Sequence, residues 1–176
     1  FGLPGASAQD PGAPMKEDPW FALLDRLDEV PGTRELRESG YRQVLVDMLS
    51  RGVTGVVDMS WSEDPDDWPR RLRAMTDQGA LPEVLPRIRI GVYRDKLERW
   101  IAKGLRTGTA LAGSPHLPDG SPVLVQGPLK VIADGSMGSG SAHMCAPYPA
   151  ELGLEHSYGV VNIDRAELTD LMAHAS

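Results

Sequence analysis

Lys130, Asp134 and Ser136 are the residues of this chain whose types and spacing could do chemistry. They lie in Leu129-Lys-Val-Ile-Ala-Asp-Gly-Ser136, an apolar run with one lysine inside it. The run stops at Asp134-Gly135 and passes into a loop of small residues that reaches Ala142. Bounded by Pro128 and Gly135, it reads as a buried strand. A buried lysine is costly unless it is paired, neutralised or bound to metal. Positions 130, 132 and 134 share one face of a strand, so Lys130 and Asp134 are expected to point the same way. An ion pair, or a lysine that snorkels to the surface, accounts for the same residues equally well.

The other chemical signals are weaker. Gly135-Ser-Met-Gly-Ser-Gly140 follows a strand, but His143 stands where a dinucleotide fingerprint needs its last glycine, and no Gly-Lys-Ser/Thr is present. The alternative for that loop is a lid or a close backbone approach. His116, His143, His156 and His174 show no metal-ligand spacing, and each reads as an ordinary polar residue. Ser136, Ser139 and Ser141 lie outside any Gly-x-Ser-x-Gly elbow, and Cys145 carries no catalytic signature. Asp134 and Ser136 stay as candidate catalytic groups because of where they fall, at a strand's carboxyl end.

The elements that must position these groups alternate along the chain. Residues 1–33 are rich in Pro, Gly, Ala and Ser and read as an excursion or linker, with a short stripe of Phe21, Leu23, Leu24 and Leu27. Residues 34–176 form the domain. Thr33 is expected to cap a helix carrying Leu36, Val44, Leu45, Met48 and Leu49. Val53 to Met59 reads as a strand with Asp58 at its carboxyl end. A helix with Trp68, Leu72 and Met75 on one face stops at Gly79. Pro86 to Val92 is the next strand, and Asp95 to Lys103 a helix with Leu97, Trp100 and Ile101 inward. Val123 to Asp134 is expected to be the central strand, broken at Gly127-Pro128. Asp164 caps a last helix with Leu168, Leu171 and Met172 on one face. Short apolar strands alternating with amphipathic helices predict an α/β fold with a parallel sheet buried on both faces. A doubly wound sheet and a slice of an eightfold barrel both satisfy that order, and both put functional groups at strand carboxyl ends.

Composition narrows the function classes. With 176 residues and 41% apolar content the chain can bury a core. Its net charge of −7, with dispersed acidic residues, argues against nucleic acid and against anionic membrane as partners. No apolar run approaches the length of a membrane span. One cysteine and no recognisable signal peptide predict a cytoplasmic protein. The start at Phe1 rather than methionine reads as a processed or truncated product.

Several motifs, taken in order, resemble the metal-dependent amidohydrolase superfamily, in particular amidohydrolase family 3, with its N-substituted formamide deformylase-like enzymes. They are Ser50-Arg-Gly-Val-Thr-Gly-Val-Val-Asp58, Asp77-Gln-Gly-Ala-Leu-Pro82 and Leu129-Lys-Val-Ile-Ala-Asp-Gly-Ser-Met-Gly-Ser139, followed by Ala142, Pro147-Tyr148, Gly159-Val-Val and Asp164 to Leu171. The resemblance covers residues 40 to 176 and implies a partial TIM (β/α)8 barrel, roughly strands 2 to 4 with their helices. It implies a hydrolase of non-peptide amide C–N bonds, a divalent metal (zinc) as cofactor, a small-molecule amide as substrate, and it leaves a homodimer open. In that superfamily a lysine on the fourth strand is often carboxylated and bridges two metal ions, and Lys130 matches it. Metal-activated water would attack the amide carbonyl. The family's His-x-His is absent here, Gly140 stands in place of a common arginine, and Ser141 and His143 replace the usual Thr and Ala. These residues alone are therefore expected not to hold a catalytic metal. The alternative is a non-catalytic α/β binding module.

Overall fold

A computed structural model of the chain describes residues 22–24, 26–60, 64–154 and 156–176. Most of the Pro/Gly-rich stretch, Phe21 included, lies outside the described residues. The chain divides into two compact units, one of Leu24–Lys130 and one that holds Val131–Ser176.

In the first unit three strands, β1 (Gly55–Asp58), β2 (Arg87–Tyr93) and β3 (Leu124–Lys130), form a parallel sheet in the order β1-β2-β3. Helices α1 (Thr33–Ser50), α2 (Asp67–Asp77) and α3 (Leu97–Ala102) alternate with them. This is the expected α/β alternation, with β2 rather than β3 in the centre. A three-residue 3-10 turn, Arg94–Lys96, leads into α3.

Burial on both faces, expected of the sheet, is not found. Ile88, Ile90 and Leu124 are fully buried on one face. Arg87, Arg89 and Val57, on the other face, are exposed. The Arg-Ile-Arg-Ile of β2 is an alternating pattern, the signature of a sheet with one open face.

Helix faces follow the wheel rather than a count of apolar residues. Leu36 and Leu45 are nine positions apart, half a turn out of phase on a 3.6-residue helix. Leu45 is buried and Leu36 is 74% exposed; Val44 is exposed too. On α2, Trp68, Leu72 and Met75 are buried together, as expected. On α3, Leu97 and Trp100 are buried while Ile101 turns outward. The N-cap of α1 is Gly32, at φ 82°, and Thr33 is the first helical residue. A left-handed cap position suits glycine, which has no Cβ to clash.

α1 and α2 are locked by Arg71, a buried guanidinium. It lies 4.0 Å from the Tyr41 ring centroid and 5.5 Å from that of Trp68, and its Nε is 3.4 Å from Glu38. A guanidinium spread over two aromatic faces is desolvated yet compensated.

β3 is continuous through Gly127-Pro128, where a break was expected. The register runs Ile90↔Gln126 and then Val92↔Leu129, so Gly127 and Pro128 together oppose Gly91. This is a β-bulge, two residues against one. Pro128 donates no ladder hydrogen bond, and a bulge is where a strand tolerates that. The outer edge of β3 is covered by residues 108–111: Gln126 N–H donates to Thr109 at 2.8 Å, and Leu111 N–H to Leu124 at 3.0 Å.

The second unit holds α4 (Arg165–His174), capped by Asp164, whose Oδ1 accepts from Glu167 N–H at 2.9 Å. Met172, expected on its inner face, is exposed.

Candidate active site

Asp58, Tyr93 and Lys130 are the last residues of β1, β2 and β3. Parallel strands bring their carboxyl ends to one edge, where open α/β sheets and barrels carry their functional groups.

Asp58 is fully engaged as an anchor. Its Oδ1 accepts from the Ser60 amide at 2.9 Å and the Ser60 hydroxyl at 2.5 Å, and its Oδ2 from the Trp68 indole N–H at 2.6 Å. The carboxylate therefore fixes the exit of β1 to the first turn of α2. The loop beyond it is tied to α3 by ion pairs from Asp64 to Arg99 at 2.9 Å and from Asp66 to Lys103 at 2.5 Å.

Tyr93 sits beside this anchor. Its hydroxyl donates to the Met59 carbonyl at 2.8 Å. Burial raises its pKa above the ordinary tyrosine value, and the charges of Asp58 and Asp95 push the same way. The phenol is thus a neutral donor at physiological pH. With the end of β2 expected at Val92, Tyr93 fell outside the candidate residues, although a tyrosine just past a strand end is a usable signal.

Lys130 pairs with Tyr93 across β2 and β3. It is exposed, so the desolvation cost expected of a buried lysine does not arise. The reason is position: β3 ends here, four residues earlier than expected, and the side chain stands at the rim of the open face.

Asp134 and Ser136 belong to the second unit, beyond the strand. The shared strand face expected for positions 130 to 134 therefore does not exist. Asp134 makes an isolated antiparallel bridge to Val161, and its Oδ2 accepts from the His143 amide at 3.0 Å. The Ser136 hydroxyl is 2.7 Å from that of Ser139, which is 2.6 Å from that of Ser141. Ser141 Oγ also accepts from the Ser136 amide at 3.1 Å. Asp134 and Ser136 share a loop but are held by different partners within it.

The amides that close the glycine loop are turned back onto its own main chain. The amides of Ser141 and Ala142 both donate to the Ser136 carbonyl at 3.0 Å, and that of Gly140 to Met137 at 3.1 Å. Phosphate cradles need such amides pointing outward. Gly135 and Gly159 serve close approach instead. A Cβ on Gly135 would overlap Ser141, and one on Gly159 would overlap the Ala142 carbonyl.

Among the described residues no group of three or more His, Cys, Asp or Glu is placed to hold a metal ion. The donor set among the described residues does not by itself make up a metal centre. Among the described residues no helix is long and apolar enough to cross a membrane.

A family model described as "Amidohydrolase family" matches residues 8–176. Two solved structures resemble the chain. An uncharacterized metal-dependent hydrolase from Pyrococcus horikoshii OT3 aligns at a TM-score of 0.63 and 21% identity, over 92% of this chain and 29% of that one. An uncharacterized metal-dependent hydrolase from Pyrococcus furiosus aligns at 0.62 and 18%, over 90% and 30%. The chain thus spans about three-tenths of the length of either structure. No curated protein matches the sequence.

Proposed function

The chain belongs to the amidohydrolase family, and on that premise we propose that it is a section of a metal-dependent hydrolase, spanning roughly strands 2 to 4 of a (β/α)8 barrel. The reaction is hydrolysis of a C–N bond in a small, non-peptide amide, in the manner of the N-substituted formamide deformylase-like enzymes. The cofactor is a divalent cation, zinc, in a protein that works in the cytoplasm, with a homodimer as the assembly to be tested. Neither nucleic acid nor membrane is a partner.

One observation carries this reading. The lysine that matches the family motif is the last residue of β3, exposed on the open side of a parallel sheet. Lys130 is then the residue offered to the metal, as a carboxylated ligand, and further ligands must come from outside the described residues. Asp134 and Ser136 are the groups offered to the substrate from the following loop. Asp58 and Tyr93 take no chemical part; they hold the strand ends.

The test is an amidase assay on the protein that carries this sequence, supplied with zinc and bicarbonate, over a panel of small N-substituted formamides, amides and esters. Amine release from the amides, lost in Asp134→Asn, is the expected result. Turnover of the esters alone would overturn the C–N assignment.

A further inference from the structure

The bulge in β3 changes which side chain reaches the open face. Before it, Leu124 and Gln126 pair with Ile88 and Ile90, all on the covered face. Unbroken alternation would carry that face on through 128 and 130, and Lys130 would turn inward. Instead one residue is inserted. Leu129 comes to pair with Val92 on the covered face, and Lys130 with Tyr93. Val92 is buried and Lys130 is exposed, in agreement with that switch.

We infer that the Gly127-Pro128 bulge is a positioning element for Lys130, aiming its amine at the open face where regular pairing would deliver Leu129. This rests on the reading of Lys130 given above.

Three features fix the bulge at this point. Its partner Gly91 is crossed by the Met59 side chain, which a Cβ there would overlap. Gly127 is packed on the Ile90–Gly91 peptide, where a Cβ would stand 3.0 Å from the Ile90 carbonyl. Pro128 lacks the N–H that a regular ladder would require. Glycine on both sides and proline in the extra position make the inserted residue hard to move to another site. The Tyr93 hydroxyl, bound to Met59, ties the same turn of β1 to the residue beside Lys130. Bulges near functional sites commonly re-aim a side chain in this way.

The test uses single cysteines, read by maleimide labelling, in a Cys145→Ser background that removes the native exposed thiol. Leu129→Cys and Lys130→Cys are labelled separately in the folded protein. The thiol at 130 is expected to react about tenfold faster than the thiol at 129, since reactivity follows access. Equal rates, or faster labelling at 129, would overturn the inference. Deleting Pro128 in each variant removes the extra residue yet keeps Leu129 opposite Val92 and Lys130 opposite Tyr93, so the order should be kept, and a reversed order after deletion would also overturn the inference. The single-cysteine comparison stands even if the deletion prevents folding. The functional reading fails separately: a lysine correctly aimed by the bulge, with metal content unchanged in Lys130→Ala, leaves the inference intact and removes the ligand.

Discussion

Tyr93 and Lys130 are cross-strand partners at the carboxyl ends of β2 and β3, and the Tyr93 hydroxyl is bonded to the main chain just beyond β1. One tyrosine therefore registers the ends of all three strands. Removing its hydroxyl should loosen the turn after β1 while leaving the β2–β3 ladder in place.

The Tyr93 phenol is raised in pKa, first by burial and then by the charges of Asp58 and Asp95. A group whose folded pKa lies above its unfolded value contributes stability below the unfolded pKa and loses it as pH rises through the folded one. Stability should therefore fall as pH climbs past about 10, the ordinary tyrosine value. Urea midpoints measured up the alkaline range, compared with Tyr93→Phe, check this. An identical alkaline slope in the variant would contradict it.

Gly91→Ala places a methyl against Met59 and 3.2 Å from the Asp58 carbonyl. Overpacking of this kind costs about 1–3 kcal/mol. Met59→Ala should relieve most of it, so the double variant is more stable than the sum of the two singles predicts. Chemical denaturation of the four proteins measures the coupling.

Arg71→Ala removes a buried cation from between two rings and leaves Glu38 without that partner. Glu38 is itself part-exposed and can rehydrate. The loss should therefore be about 2 kcal/mol, below the range for severing a fully buried pair. Arg71→Lys should recover little, because an ammonium cannot stack as a plane. Thermal unfolding of both variants distinguishes charge from stacking.

Two glycines with nearly the same backbone angle separate conformational strain from steric overlap. Gly32 and Gly159 have φ of 82° and 79°. A Cβ on Gly32 meets open space, while one on Gly159 meets the Ala142 carbonyl. Gly32→Ala should cost about 1 kcal/mol, the left-handed penalty alone. Gly159→Ala should cost clearly more, because main chain cannot step aside. Equal losses on denaturation would mean that the close approach carries no energy.

Much of this is legible in the sequence because it depends on short-range pattern. Trp68, Leu72 and Met75 repeat at helical spacing and are buried together. Asp58 closes an apolar run and does lie at a strand end. Asp164 caps its helix as a short polar side chain should. The features that are not legible depend on partners far along the chain. Whether β3 breaks or bulges at Gly127-Pro128 is decided by Gly91, thirty-six residues earlier, and by Met59 lying across it. The exposure of Lys130 depends on that register, so a locally apolar sequence suggests burial where there is none. Leu36 falls on the wrong side of α1 when apolar character is counted without phase. The serine loop can be noticed in the sequence but not explained there, since its hydrogen bonds close back on Ser136.

The most direct test of the central claim is the metal content of the protein carrying this sequence. It would be purified with zinc and bicarbonate and compared with Lys130→Ala and with the conservative Lys130→Arg. The account predicts about one or two divalent ions per chain, as hydrolytic metal sites hold, and a clear loss in both variants, because arginine cannot be carboxylated in place of lysine. Unchanged metal content in Lys130→Ala would contradict it.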